Sequence, residues 1–97
     1  MNRFLGTLGI CRKAGKLIFG FDAVCDEIKK PKSKVSGIVT AKDISAKTLK
    51  EIRFVCEKYG IKIYEADADM DEIKSVIGKR TGIIAILDEG LFASLSS

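Results

Sequence analysis

The sequence predicts an α/β fold in which a central sheet lies between two layers of helices. Apolar residues repeat at helical spacing in some segments and form short, strand-length runs in the segments between them. The run Ile83–Leu87 is apolar throughout, which is typical of a central strand covered on both faces. Because the chain has 97 residues, 46% of them hydrophobic, we expect one compact domain over residues 1–97 with a single core.

Helices and strands are predicted to alternate along the whole chain. In order, they are a helix over 2–13, a short strand over 17–19, a helix over 21–30, a strand within 35–41, a helix between Ser45 and Gly60, a strand over 61–65, a helix between Asp69 and Gly78, a strand over 83–87 and a helix over 91–95. The second helix repeats apolar residues at Phe21, Val24 and Ile28, whereas the strand over 61–65 alternates apolar and polar residues.

Particular side chains signal the helix ends. Ser45 is a preferred N-cap residue, and Asp69 with Glu72 has the spacing of a capping box. Gly60 is a natural C-terminal stop, and Pro31 prevents the second helix from continuing. These signals place the helix boundaries independently of the apolar pattern.

Charge is distributed unevenly along the chain. Residues 1–62 hold 14 Lys and Arg against 6 Asp and Glu, or +8, whereas residues 63–97 hold 3 against 7, or −4. A difference of this size within one small domain favours a polyanion-binding face built from the first two-thirds of the sequence. We expect Lys34, within the basic connector 32–34, to contribute to that face.

Several classes of site are not predicted. The chain has no histidine, which excludes histidine-based catalytic triads and histidine-containing zinc sites. Cys11, Cys25 and Cys56 lack C-x-x-C spacing and lie in apolar surroundings, so we interpret them as reduced core residues of a cytoplasmic protein. No apolar run is long enough to span a membrane. We predict no catalytic residue, metal or cofactor.

Two ligand-binding motifs are begun but not completed. In Gly9–Lys16 five residues separate the glycines, and Leu17 stands where a P-loop needs Ser or Thr to hold magnesium. Asp67–Asp71 resembles the start of a calcium loop, but Glu72 replaces the glycine at its sixth position and Gly78 replaces the glutamate at its twelfth. We therefore interpret the second segment as the start of a helix.

The segment 10–24 is the most informative part of the chain. Lys13 and Lys16 flank a glycine turn, and Gly20 directly precedes a helix. Cations beside a glycine-led helix N-terminus form an anion site, because exposed backbone N–H groups and the helix dipole favour negative charge. On a basic protein, such a site indicates nucleic acid as the first candidate ligand.

A set of motifs spread over nearly the whole chain resembles a known family. The motifs are Arg12–Leu17, Gly20, Ala41–Ser45 with Thr48, Tyr59–Tyr64, Ile77–Lys79 and Ile86–Gly90. In order and spacing they resemble the ribosomal protein L7Ae/L30e superfamily, and most closely its short bacterial YlxQ-like members. The resemblance implies a three-layer α/β/α sandwich with a small mixed central sheet. It also implies binding to kink-turn RNA, a bent helix–bulge–helix element with tandem G·A pairs, within ribosomal RNA or another ribonucleoprotein.

The resemblance also assigns roles to residues of this chain. The helix start at Gly20 is expected in the major groove beside the G·A pairs, with nearby lysines on phosphates and the loop after the last strand against the flipped bulge. The predicted RNA-binding residues are Lys13, Lys16, Gly20, Phe21, Asp22, Lys34, Ile86, Leu87, Asp88, Glu89 and Gly90. We expect a single RNA-binding domain that acts without catalysis, in translation or a related process.

The sequence departs from the family pattern where bases are read. Strong kink-turn binders of the superfamily carry an Asn-Glu or Lys-Gln pair where this chain has Asp22 and Ala23. The alanine side chain cannot hydrogen-bond a base, and each lost base contact costs roughly 1–3 kcal/mol of discrimination. We therefore expect weaker or altered RNA recognition. The alternative is a protein–protein interaction module that has kept the fold and lost specific RNA recognition.

Overall fold

A four-stranded sheet separates two layers of helices in the computed structural model, which describes residues 2–97, so Met1 of the predicted domain lies outside it. Within residues 2–97 the elements are α1 (Arg3–Lys13), β1 (Leu17–Phe19), α2 (Phe21–Lys29), β2 (Gly37–Thr40), α3 (Ala46–Tyr59), β3 (Ile63–Glu65), α4 (Met70–Ile77), β4 (Ile83–Ile86) and α5 (Glu89–Ser96). The predicted order and type of these elements are confirmed.

The last helix starts earlier than the sequence predicted. The sequence predicts a helix over 91–95, but α5 begins at Glu89. The reason is Asp88, whose carboxylate accepts a hydrogen bond from the Leu91 N–H at 2.8 Å and so acts as the N-cap. The predicted caps Ser45 and Asp69 are confirmed, and Asp69 forms the full capping box with Glu72.

The sheet has the strand order β1-β4-β2-β3 and is mixed, as the resemblance implied. The central strand β4 runs antiparallel to both of its neighbours, whereas β2 and β3 are parallel. All four residues of β4 are buried, which confirms the prediction of a central strand covered on both faces. The two-sided burial explains why its sequence is apolar throughout instead of alternating.

Two core clusters form, one on each face of the sheet. Ile84 and Ile86 belong to the cluster that is built with α1, α4 and α5, whereas Ile83 and Ala85 belong to the cluster built with α2 and α3. The alternation follows from the two-residue period of a strand, which turns successive side chains to opposite faces. The result is the α/β/α sandwich that the resemblance implied.

The three cysteines are buried and unpaired, in agreement with their interpretation as core residues. Burial, with a smaller contribution from the neighbouring Cys25, raises the pKa of the Cys56 thiol to about 11. Burial also raises the pKa of Cys11 and of Cys25. All three thiols are therefore protonated at neutral pH, which makes them poor nucleophiles and poor metal ligands.

The strand directions sort the connections between elements into two groups at opposite ends of the sheet. One end, which we call the helix-start end, carries residues 20–22, 41–45, 66–69 and 80–82. The other, which we call the lysine end, carries residues 12–16, 29–36, 58–62 and 87–90. Backbone hydrogen bonds hold each group together, for example Ala41 N to Gly82 O at 3.0 Å at the first end and Leu87 N to Lys16 O at 2.8 Å at the second.

Candidate nucleic-acid interface

The helix-start end contains a helix N-terminus that no side chain caps. Gly20 precedes α2 with φ 97°, a left-handed value that favours glycine, and its own N–H donates to the Ile83 carbonyl at 3.1 Å. Side-chain oxygens cap the other four helices of residues 2–97, but none accepts a hydrogen bond from the first turn of α2. The backbone donors of this turn and the positive end of its dipole are therefore available to an external acceptor.

A cleft of about 440 Å³ lies beside this helix start. It is lined by residues of α2, α3, α4, the start of β4 and the two loops that meet there: Phe21, Asp43, Ile44, Ser45, Thr48, Met70, Arg80, Thr81, Gly82 and Ile83. The cleft is open to solvent and has both apolar and polar walls. Backbone and side-chain groups of both kinds are therefore accessible to a ligand from solvent.

Some of the acidic groups in this region are held by hydrogen bonds or ion pairs within the protein. The Asp43 carboxylate accepts from the Met70 N–H at 3.0 Å, and Asp71 forms an exposed ion pair with the Arg80 guanidinium at 3.0 Å. Residues 20–22, 41–45, 66–69 and 80–82 together hold two Lys or Arg and four Asp, a net charge of −2. Affinity for a polyanion at this end must therefore come from backbone donors and shape.

The lysine end gathers a different part of the predicted site. Ser36 N donates to the Ile86 carbonyl at 2.8 Å and Leu87 N to the Lys16 carbonyl at 2.8 Å. The residues grouped at this end are therefore Lys13, Lys16, Lys34, Leu87, Asp88, Glu89 and Gly90. All of them are exposed except Leu87 and Asp88, which are half-buried.

The eleven predicted RNA-binding residues thus do not form one surface. Strand β1 pairs antiparallel with β4, so Leu17 lies opposite Ile86, whereas Gly20 bonds to Ile83 at the other end. Lys16 and Gly20 lie four positions apart along extended chain, a span of about 13 Å. Gly20, Phe21 and Asp22 consequently lie apart from the loop after β4, and the contacts predicted for both groups stay predictions.

Two residues of the predicted second loop have structural roles. Ile86 is fully buried in the core, so its side chain has no contact with solvent. The Asp88 carboxylate is engaged as the cap of α5. Glu89 and Gly90, by contrast, are exposed.

The segment that lies beside Gly20 precedes β4 instead of following it. Arg80, Thr81 and Gly82 line the cleft, and the sequence analysis assigned no role to any of them. The signal that finds them is strand pairing, because an antiparallel β1–β4 pair places the start of β4 beside the end of β1. This pairing joins segments far apart in the chain, so local patterns do not reveal it.

Other classes of site find no support in this part of the chain. Among residues 2–97, no three His, Cys, Asp or Glu side chains are grouped so as to hold a metal ion. Over the same range, none of the helices has the length and apolar character needed to cross a membrane.

Comparisons with known proteins extend these observations. A family model described as the ribosomal protein L7Ae/L30e/S12e/Gadd45 family matches residues 3–96. A solved structure of a protein with unknown function from Bacillus halodurans C is similar over 100% of both chains, with a TM-score of 0.85 and 22% sequence identity. At this identity the likeness shows the fold alone. No curated protein matches the chain significantly.

Proposed function

Because the chain belongs to the ribosomal protein L7Ae/L30e/S12e/Gadd45 family, we propose that it is a non-catalytic RNA-binding protein that recognises structured, kink-turn-like RNA. Membership supports a ribosomal-protein-like, RNA-binding role in general. The proposed partner is ribosomal RNA or another translation-related ribonucleoprotein in the cytoplasm. Residues 1–97 would act as one RNA-binding domain.

The observation that carries this proposal is the uncapped start of α2 at Gly20, beside an open cleft that Phe21 lines at the helix-start end. A kink-turn exposes what a straight duplex hides, namely unstacked bases and a sharply bent backbone. Free backbone N–H groups can donate hydrogen bonds directly to phosphate or base acceptors. They therefore favour an RNA whose acceptor atoms are accessible. Gly20 leaves room for this approach, because a Cβ built on it meets no atom within 4 Å.

Asp22 and Ala23 set the expected affinity. Both are exposed on the first turn of α2. A carboxylate accepts hydrogen bonds from a guanine N–H or a cytosine amino group but repels phosphate, and alanine offers no polar group. We therefore propose moderate affinity and a base preference different from that of members with an Asn-Glu pair.

The first test compares a kink-turn RNA with a straight duplex of the same length and composition. The expected result is tighter binding of the kink-turn RNA, with affinity for both falling as salt rises because phosphate contacts release counterions. Titrations followed by fluorescence anisotropy at several salt concentrations measure both quantities. Equal affinity for the two RNAs would remove the specific part of the proposal and leave only general attraction to a polyanion.

A second test restores the base-reading pair with the double variant Asp22→Asn/Ala23→Glu. We expect kink-turn affinity to rise by about tenfold or more, because each good base contact contributes roughly 1–3 kcal/mol. The double variant removes the carboxylate of Asp22 and adds one at position 23, so it keeps the net charge of the protein. The comparison variant Asp26→Asn removes one exposed carboxylate a full turn further along α2, so it measures what reduced repulsion alone contributes. A gain in the double variant no larger than the gain in Asp26→Asn would refute base reading at positions 22 and 23.

A second candidate function is a protein–protein interaction module on the same fold. The observation that favours it is the net charge of −2 at the helix-start end, together with the apolar side chain of Ala23. Recovery of bound partners from cells, with and without ribonuclease treatment, separates the two functions. Partners lost after digestion support RNA binding, and partners that survive it support the module.

A further inference from the structure

Beyond the proposed function, we propose that the lysine end is a second RNA-contact surface, which binds the phosphate backbone of an RNA segment other than the one held at the helix-start end. The two surfaces would let one protein molecule bridge two segments of a folded RNA. The second surface would position RNA without reading its sequence.

The lysine end carries a high positive charge. Residues 12–16, 29–36, 58–62 and 87–90 hold nine Lys or Arg and two acidic residues, a net charge of +7. The cations are Arg12, Lys13, Lys16, Lys29, Lys30, Lys32, Lys34, Lys58 and Lys62, and every one is exposed. The helix-start end, by comparison, has a net charge of −2. The sheet therefore separates a strongly cationic end from a weakly anionic one.

Most of these cations have no partner within the protein. In residues 2–97 the only ion pair that involves any of the nine joins Lys30 Nζ to Glu27 Oε1 at 3.0 Å. Lys58 lies over the Tyr59 ring, 5.7 Å from its centre, and the Arg12 guanidinium lies against Gly78 at the end of α4. The remaining lysines repel one another, and a polyanion relieves that repulsion while releasing its own counterions.

The cations also have a spatial order. Lys16 precedes β1, Lys34 lies three residues before the start of β2 at Gly37, and Lys62 precedes β3. Ile38 N donates to the Lys62 carbonyl at 2.8 Å, which fixes Lys62 at the same end of the sheet as the Ser36–Ile86 bond. Because neighbouring strands lie about 4.8 Å apart, the row from β1 across β4 and β2 to β3 is about 14 Å long. Such a row can contact several phosphates of one RNA segment.

The chemistry of this end favours a phosphate backbone over a protein partner. A protein interface needs an apolar core, with aromatic or aliphatic side chains at its centre. Of the large hydrophobic side chains exposed in residues 2–97, only Tyr59 belongs to the connections of the lysine end. Lysine ammonium groups act as point charges, which hold phosphates but do not discriminate bases.

The test uses the fourfold variant Lys16→Gln/Lys32→Gln/Lys34→Gln/Lys62→Gln and a matched control, Lys47→Gln/Lys50→Gln/Lys74→Gln/Lys79→Gln. Both remove four exposed lysines that form no ion pair in residues 2–97, so both lower the formal net charge by four, from +4 to 0. Circular dichroism and thermal melting verify that both variants fold. Binding is measured over a salt series for three RNAs: a minimal kink-turn, the same kink-turn joined to a second helix, and that second helix alone.

For the kink-turn joined to a second helix, we expect the fourfold variant to lose at least tenfold in affinity. The slope of log affinity against log salt should become shallower by up to about 3.6, since each of the four lost phosphate contacts contributes roughly 0.9 in a duplex. Affinity for the minimal kink-turn should stay close to wild type in the fourfold variant. For each of the three RNAs, the affinity of the control variant should equal that of the wild-type protein within about twofold.

Three results would overturn the second surface. The first is an equal loss of RNA affinity in the control variant, and the second is an equal loss of affinity for the minimal kink-turn in the fourfold variant. The third is displacement of the second helix by polyglutamate as effectively as by RNA, which would indicate an acidic protein as the partner. The second helix alone separates this inference from the proposed function. If kink-turn preference fails but the fourfold variant still loses the second helix, only the proposed function is wrong.

Discussion

Replacing Ile86 with alanine is expected to lower the free energy of unfolding by about 2–5 kcal/mol, the usual cost of an Ile-to-Ala change in a core. Ile86 is fully buried and belongs to the cluster that β4 builds with α1, α4 and α5. Its neighbours across the sheet, Leu17 and Gly37, are held by the backbone ladder and cannot close the cavity that the lost atoms leave. Urea denaturation followed by circular dichroism measures the loss.

The same variant tests whether Ile86 touches RNA. Because its side chain is enclosed by the core, RNA affinity should stay at the wild-type value under conditions where Ile86→Ala is fully folded. The matched control is Ile10→Ala on α1, where the isoleucine is 55% exposed and the change should alter stability by less than about 0.5 kcal/mol. A stability loss in Ile86→Ala no greater than in Ile10→Ala would contradict the buried position.

Much of this fold follows from signals that are local in the sequence. Ser45 and Asp69 cap their helices because a short polar side chain can bond the next free N–H groups, which needs no partner elsewhere in the chain. The central place of β4 follows from an apolar run that only burial on both faces explains. The start of α5 was missed because Gly90 lowers helix propensity, although Asp88 carries an N-cap signal.

The interface was harder to predict because it depends on pairing between distant segments. The sequence indicated two groups of RNA-binding residues, 20–22 and 86–90. Whether the two groups share a surface depends on the direction of β4 relative to β1. That direction is antiparallel, and it moves Ile86 to the end of the sheet that carries Lys16. A three-residue strand such as β1 carries too little pattern to reveal its partner.

Charge shows the same division between local and non-local information. The excess of Lys and Arg over the first 62 residues is visible in the sequence. The clustering of these cations at one end of the sheet is not visible in the sequence. The connections from α1 to β1, from α2 to β2 and from α3 to β3 meet at one end only because β1, β2 and β3 run in the same direction. The uncapped helix start and most of the free lysines consequently lie at opposite ends of the sheet, so they do not belong to one continuous surface.

Replacing Gly37 with alanine is expected to lower the free energy of unfolding by about 1–3 kcal/mol, the usual cost of adding volume to a packed core. A Cβ at this position would overlap the ring of Phe92. Phe92 belongs to α5, and its ring packs directly on Gly37, the first residue of β2. The obstacle is steric, since Gly37 has no left-handed backbone conformation. Neither partner moves freely, because Gly37 is paired with Ile86 in the ladder and Phe92 is 7% exposed.

A double-mutant cycle isolates this contact. Phe92→Ala alone should cost about 3–5 kcal/mol through the cavity it leaves. In that background Gly37→Ala should cost little or become stabilising, because the new methyl group enters the space that the ring vacated, giving a coupling energy of about 1–3 kcal/mol. Urea denaturation of the four proteins measures the cycle. If the two losses simply add, the ring does not pack against Gly37, and the seating of α5 on the sheet must differ from that described.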